Sequence, residues 1–133
     1  MNKLRGQDAT RGASTITQQL ARNIFTDYLP YTDKSYSRKV KEIFVATEME
    51  KKYSKDQILE FYINNVFFAN GYYGIEAASR GYFSKSASEL SLAEVAFVCS
   101  IPNRPQSYDP LEHFDNTIKR KNRILDQMLS QKF

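Results

Sequence analysis

The sequence predicts an all-α fold, and three observations support this class. Ser54 is followed by Gln57 and Ser91 by Glu94, the spacing of the capping boxes with which many helices begin. Between such starts, apolar residues recur at helical intervals, and proline and glycine turns separate the segments. The strict alternation of apolar and polar residues that marks a half-buried strand is not visible. We therefore expect helices along the whole chain.

Each expected helix has its own start or stop signal. Thr15 can cap the first helix, which must end before Pro30, and Asp109 followed by Pro110 is typical of a helix start. The stretch GIEAASRGYF lies between two turns and has helical character. The helices are expected from Ser14 or Thr15 to about Tyr28, from about Asp33 to Tyr53, from Ser54 to about Phe67, from Gly74 to Phe83, from Ser91 to just before Pro102, and from about Pro110 to Gln131.

Length and composition indicate one globular domain over residues 1–133. The chain is 41% hydrophobic and 14% aromatic, with five glycines and four prolines, which argues against disorder. It carries 19 Lys and Arg against 15 Asp and Glu, a net charge of +4, and its first glutamate is Glu42. This balance favours an anionic partner without choosing among nucleic acid, lipid and phosphorylated substrate. No stretch approaches the run of about 20 apolar residues that spans a bilayer.

The second helix carries a pair of opposite charges, Arg38 and Glu42, one helical turn apart. Apolar residues lie on the face of this pair and on the opposite face, which includes Tyr36, Val40 and Phe44. A helix that is apolar on two sides is expected to be buried on both, so the pair should be partly desolvated. Two interpretations stay open: a helix salt bridge, or a carboxylate held among cations in a cleft.

The first helix opens with the polar stretch GASTITQQ, residues 12–19. Gly12 allows a ligand to approach the backbone closely, and hydroxyls with free N–H groups at a helix start can receive an anionic oxygen. Gln18 and Arg22 are one turn apart and form a stripe of hydrogen-bond donors. The alternative is an ordinary N-cap followed by a solvated helix face.

Four segments together resemble a known family. They are GASTITQQ, RKVKE at 38–42, KDQILEFYIN at 55–64 and RKNRILDQM at 120–128. In order and spacing they are similar to four of the five signature motifs of the peptidoglycan glycosyltransferases, which occur alone or as the first catalytic domain of class A penicillin-binding proteins. The resemblance implies an all-α, lysozyme-like glycosyltransferase domain. Such domains polymerise lipid II into glycan strands and release undecaprenyl diphosphate.

The resemblance also implies roles for individual residues. Glu42 is expected to support the donor site, either by holding a divalent metal ion, Mg²⁺ or Mn²⁺, or by ordering the basic residues around the diphosphate. Those basic residues are expected to be Arg22, Arg38 and Lys39, with Lys34 standing where relatives carry an arginine. Ser14, Thr17, Gln18 and Gln19 match the polar wall of the cleft.

The family's first motif, an acidic pair followed by Phe and His, is expected ahead of GASTITQQ and is not found in this sequence. In the family a glutamate of that motif is the general base that deprotonates the acceptor hydroxyl. We therefore expect a partial domain, truncated at its N-terminus, that retains part of the donor site and lacks turnover. The family's membrane helix is not in this sequence either, and the expected location is the extracytoplasmic face of a bacterial membrane.

The expected partners are lipid II, the growing glycan strand and the membrane surface, and a transpeptidase domain can follow in the full protein. Residues 23–36, NIFTDYLPYTDKSY, combine aromatic side chains with lysine, as an interfacial segment does, although a helix end packed on the core fits equally.

A non-catalytic helical module that binds lipid II or another anion is the alternative function. A structural brace formed by Arg38 and Glu42 is a third interpretation. Nucleic acid is not expected, because the late basic cluster TIKRKNRILDQM is short.

Overall fold

The computed structural model describes residues 14–132, and the regular elements of this part of the chain are helices, which confirms the all-α class. The helices are α1 (Ile16–Ile24), α2 (Tyr36–Lys52), α3 (Lys55–Asn65), α4 (Ile75–Phe83), α5 (Leu92–Ser100) and α6 (Phe114–Ser130), with a 3₁₀ turn at Ala87–Glu89 between α4 and α5. One isolated antiparallel bridge joins Phe67 and Tyr73. The chain divides into two compact units, residues 1–52 and 53–133. The single domain over residues 1–133 stays a prediction.

The first unit is built from α1 and α2, which pack against each other. The Thr15 hydroxyl accepts a hydrogen bond from the Gln18 N–H at 3.2 Å and caps α1, as its spacing predicts. Leu20 and Ala21 of α1 and Ala46 and Met49 of α2 are buried. The loop between the two helices contributes Leu29, whose side chain is fully buried. These apolar residues fix the polar faces of α1 and α2 next to each other.

The helix ends differ from the predicted ones because polar side chains and prolines compete with the helical hydrogen bonds. α1 ends at Ile24 and not at Tyr28, because a turn closes on the Phe25 carbonyl and Pro30 disfavours a helical residue before it. α2 begins at Tyr36, three residues later than predicted. The Ser35 hydroxyl caps it by accepting from the Arg38 N–H at 3.1 Å.

Two further expectations were wrong. α6 begins at Phe114 and not at about Pro110, because the Asp109 carboxylate accepts from the Leu111 N–H and holds this segment in a turn. The expected burial of α2 on both sides is also wrong, since Tyr36 is 93% exposed and Phe44 63% exposed. Helical periodicity shows that two faces are apolar, whereas the neighbouring elements decide which of them is covered.

The second unit has an aromatic core of its own. Buried residues from α4, α5 and the segment after α3 form the cluster Val66, Phe68, Ala69, Ala78, Phe97, Val98 and Ile101. Phe83 and Phe97 meet edge to face with ring centroids 5.4 Å apart. The predicted capping boxes at Ser54 and Ser91 are both formed. This unit therefore folds around local helix signals and one contiguous core.

Gly74 closes the turn before α4 in a conformation that only glycine adopts without cost. Its φ is +84°, and a Cβ there would lie 2.6 Å from the Asn64 carbonyl oxygen. Gly71 has a similar φ of +77°, but a Cβ there would meet nothing within 4 Å. The two glycines thus separate backbone strain from steric overlap.

We expect Gly74→Ala to lower the free energy of unfolding by about 3 kcal/mol, because strain and overlap act together. Gly71→Ala, which carries the strain alone, should cost about 1 kcal/mol. Urea unfolding of both variants followed by circular dichroism measures the difference. Equal losses in the two variants would show that the Asn64 contact relaxes freely.

Candidate active site

A buried carboxylate lies at the centre of the first unit. Glu42, on α2, is fully buried, and both of its carboxylate oxygens accept hydrogen bonds. Lys39 donates to Oε1 at 2.6 Å and Arg38 donates from Nη1 to Oε2 at 2.6 Å. Arg22 reaches over from α1, with its Nε 3.8 Å from Oε2. Burial of a charge is costly unless it is paired, and here three cations pair it.

Lys39 joins the two helices through its ammonium group. Its Nζ donates to the Ser14 hydroxyl at 2.7 Å, to the Gln18 side-chain oxygen at 2.9 Å and to Glu42. An ammonium group has three N–H donors, so these acceptors use all of them. Gln18 and Arg22 are four residues apart and share one face of α1, and Ser14 lies four residues before Gln18, just ahead of the Thr15 cap. The polar stripe of α1 therefore faces the charged pair of α2.

The cluster keeps Glu42 ionised. Burial raises the pKa of this carboxyl, but the hydrogen bonds from Lys39 and Arg38 and the charge of Arg22 outweigh burial, so the pKa lies below its usual value. Three cations and one carboxylate leave the cluster with a formal charge of +2. Arg38 also has a buried Nε–H with no hydrogen-bond partner in the described residues. Such a cluster suits an anionic ligand that accepts hydrogen bonds.

Arg22 is placed between Glu42 and an aromatic ring. Its guanidinium carbon lies 5.8 Å from the centroid of the Tyr31 ring, which belongs to the loop between α1 and α2. The Tyr31 hydroxyl donates a hydrogen bond to the side-chain oxygen of Asn23, the residue after Arg22. The side chain of Arg22 stays 28% exposed. A ligand can therefore reach it from solvent.

Comparison with known proteins identifies the family. The model of the transglycosylase family matches residues 1–129 of the chain. The chain belongs to the transglycosylase family. This agrees with the resemblance carried by the four motifs and with the helical, lysozyme-like glycosyltransferase domain that they imply.

Relatives of this transglycosylase chain are penicillin-binding proteins. It is 49% identical over 115 residues to penicillin-binding protein 4 of Bacillus subtilis, covering 86% of the chain and 18% of that relative. It is 45% identical over 120 residues to penicillin-binding protein 1F of the same organism, covering 90% of the chain and 16% of that relative. It is 40% identical over 123 residues to penicillin-binding protein 1A of Escherichia coli, covering 92% of the chain and 14% of that relative. The chain spans less than a fifth of the length of these relatives.

The structure of the transglycosylase chain brings together six of the residues singled out in the sequence: Ser14, Gln18, Arg22, Arg38, Lys39 and Glu42. Thr17 is instead buried on the side of α1 that carries Leu20 and Ala21. Gln19 donates from its amide to the Ser14 carbonyl oxygen at 3.3 Å. Lys34 is exposed, and the described residues give it no contact with Glu42. The predicted salt bridge between Arg38 and Glu42 forms. It is one of three ion pairs that hold the Glu42 carboxylate among cations.

The donor set does not suit a divalent metal ion. Mg²⁺ and Mn²⁺ prefer several oxygen ligands, whereas the described residues form no group of three carboxylate, histidine or cysteine side chains. Glu42 is the carboxylate of the cluster, and both of its oxygens already accept from cations. The expected metal ion stays a prediction without support from these residues.

Two features of the site were not visible in the sequence. Tyr31 and Asn23 contact each other and flank Arg22, although Tyr31 follows Arg22 by nine residues across a loop. In the sequence, these aromatic and amide side chains are as compatible with a membrane-interface segment as with a contact to Arg22. No local spacing rule predicts a contact across a loop of this kind, so tertiary structure was needed to show it.

We expect Glu42→Gln to lower the free energy of unfolding by about 3 kcal/mol near neutral pH, because three cations lose their buried counter-charge. The folded pKa of Glu42 is lowered, so its stabilisation is complete above the ordinary value of 4.5 and is lost as the pH falls through the folded value. The difference between wild type and variant should therefore shrink as the pH falls below 4.5. Urea unfolding across this range measures it.

Glu48→Gln is the matched control, because Glu48 forms an exposed pair with Lys51 on the same helix at 2.7 Å. Its loss should cost less than about 1 kcal/mol. Equal, pH-independent losses in both variants would contradict the assignment of Glu42 as the charge that holds the first unit together.

Proposed function

We propose that the chain is the donor-site part of a peptidoglycan glycosyltransferase and that the cluster around Glu42 binds the diphosphate of lipid II. The observation that carries the proposal is the charge of the cluster: three cations surround one buried carboxylate, and the buried Arg38 Nε–H has no hydrogen-bond partner among residues 14–132. Diphosphate oxygens accept charge-assisted hydrogen bonds from guanidinium groups in a planar, two-point geometry. Membership of the transglycosylase family supports this choice among anions.

The cluster would act mainly by electrostatics during glycosyl transfer. When the bond between the sugar C1 and the diphosphate oxygen breaks, the electron pair stays on the diphosphate and its negative charge grows. Cations that are already in place stabilise this charge without reorganising, and that is the larger part of many enzymes' rate enhancement. Glu42 holds Arg38 and Lys39 in the required positions. Its role is to order the cations.

Glu42 is a poor general base, because its pKa is lowered and both of its oxygens accept from cations. The incoming sugar hydroxyl must give up its proton as its oxygen bonds to C1, and that step needs a carboxylate with a pKa nearer to the working pH. The resemblance assigns this role to a glutamate of the family's first motif. We therefore propose that this chain binds the diphosphate of the donor and does not catalyse glycosyl transfer by itself. This proposal combines the enzyme and the binding-module interpretations.

A lipid-linked donor places the site at a membrane surface, on the extracytoplasmic side where glycan strands are assembled. Exposed apolar residues of the first unit support this part of the proposal: Ile24, Phe25 and Tyr36 are 45%, 43% and 93% exposed. No helix of residues 14–132 is both long and apolar enough to span a bilayer. The nascent glycan strand would be the second substrate, and the penicillin-binding relatives make a linked transpeptidase domain a reasonable partner.

We expect the chain to bind inorganic pyrophosphate, and Arg38→Ala to weaken that binding about tenfold or more, because charge-assisted hydrogen bonds are lost. Isothermal titration calorimetry at low salt measures the affinity. Arg104→Ala removes an exposed arginine of the second unit and should leave the affinity unchanged. Equal weakening by both variants would reduce the site to non-specific charge attraction.

Glycan polymer formation from lipid II tests the chemistry. The chain alone should form no polymer. A version extended upstream through the family's first acidic motif should form it, and Glu42→Gln should abolish activity in that version. If both versions bind lipid II and neither polymerises it, the chain is a binding module; if the chain alone polymerises, the assignment of the base is wrong.

A further inference from the structure

The loop between α1 and α2 places two tyrosine rings against two cations. Leu29 is fully buried and anchors the middle of the loop, while Tyr28 and Tyr31 on either side of it remain more than half exposed. The Tyr28 ring centroid lies 5.2 Å from Lys41 Nζ, and the Tyr31 ring centroid lies 5.8 Å from the Arg22 guanidinium carbon. Both distances are within the range of cation–π attraction. Of these two cations, Arg22 belongs to the cluster around Glu42.

Arg22 is held to Glu42 less firmly than its neighbours are. Its Nε lies 3.8 Å from the carboxylate, beyond hydrogen-bond range, whereas Arg38 and Lys39 approach within 2.6 Å. A long side chain with so loose a tether keeps much rotamer freedom unless something else confines it. The Tyr31 ring faces the guanidinium, with the ring centroid 5.8 Å from the guanidinium carbon, and it is itself tied to α1, because the Tyr31 hydroxyl donates to Asn23.

We infer that Tyr31 is a positioning residue for Arg22, and that Asn23 in turn holds the Tyr31 ring. The inference rests on the proposed function, in which Arg22 contributes to the diphosphate site. Contact over the face of the ring confines the guanidinium without occupying its N–H donors as a hydrogen-bonded acceptor would. The donors then stay available for a diphosphate oxygen. Tyr31 itself would not touch the ligand.

Titration of the full chain with inorganic pyrophosphate tests the inference. Tyr31→Ala should weaken binding about two- to fivefold, the range expected when one cation–π contact at a partly exposed site is lost. Tyr31→Phe keeps the ring and loses the hydrogen bond to Asn23, so it should weaken binding less than Tyr31→Ala does and more than the control below. Tyr28→Ala is the matched control, because it removes the same side chain from the same loop and should have no effect.

A double-mutant cycle separates positioning from a general effect on folding. In an Arg22→Ala background, Tyr31→Ala should cause no further loss, because the residue that it positions is gone. Thermal unfolding of each variant checks that the chain is folded. The Arg22 δ-methylene NMR signals should also move in Tyr31→Ala and stay in place in Tyr28→Ala, since an aromatic ring shifts the signals of protons above its face.

The outcomes distinguish this inference from the proposed function. If the wild type binds pyrophosphate and Arg22→Ala weakens binding, but Tyr31→Ala behaves like Tyr28→Ala, the positioning role is wrong and the diphosphate site stands. An equal loss from Tyr31→Ala with and without Arg22 would likewise overturn it. If the wild type binds no pyrophosphate, the site itself is wrong, and the inference falls with it.

Discussion

Burial of the Glu42 carboxylate between α1 and α2 is the constraint on which the first unit depends. Glu42 is fully buried, and a buried charge costs several kcal/mol unless partners replace the lost water. This cost is roughly as large as the whole free energy of unfolding of a small domain. The partners come from both helices: Arg38 and Lys39 from α2 itself, and Arg22 from α1. Burial of apolar residues such as Leu20 and Ala46 brings the helices together, and the ion pairs of the carboxylate favour the register in which their polar faces meet.

The ion pairs that stabilise the Glu42 carboxylate also make it a poor general base. A carboxylate that accepts from two cations at 2.6 Å has a lowered pKa and little tendency to take a proton. The excess of cations that keeps it ionised is the feature that attracts an anion. Under the proposed function, stability and diphosphate binding draw on one set of side chains, so that a substitution at Glu42 would affect both, whereas one at Arg22 or Tyr31 would act mainly on binding.

The second unit carries two of the family's motifs, and its described contacts are those of a scaffold. Ser54 and Gln57 form the capping box that opens α3. Arg120 of α6 lies 5.9 Å over the ring of Tyr108, which in turn accepts from the Thr117 hydroxyl through its carbonyl. These contacts order the chain around one aromatic core. A family motif can thus record how a helix packs as well as where a substrate binds.

Local physics accounts for what the sequence by itself determined. Capping boxes at Ser54 and Ser91 mark helix starts, and a spacing of four residues brings Arg38 to Glu42 on one helix, because these interactions span a single turn. The ordered motifs likewise identified the family before any coordinates did. Only the tertiary structure decided that Lys39 reaches Ser14 and Gln18, that Tyr31 lies on Arg22, and that the face with Tyr36 stays exposed. These contacts join residues on different elements, and periodicity shows which side of a helix is apolar or charged without showing what packs against it.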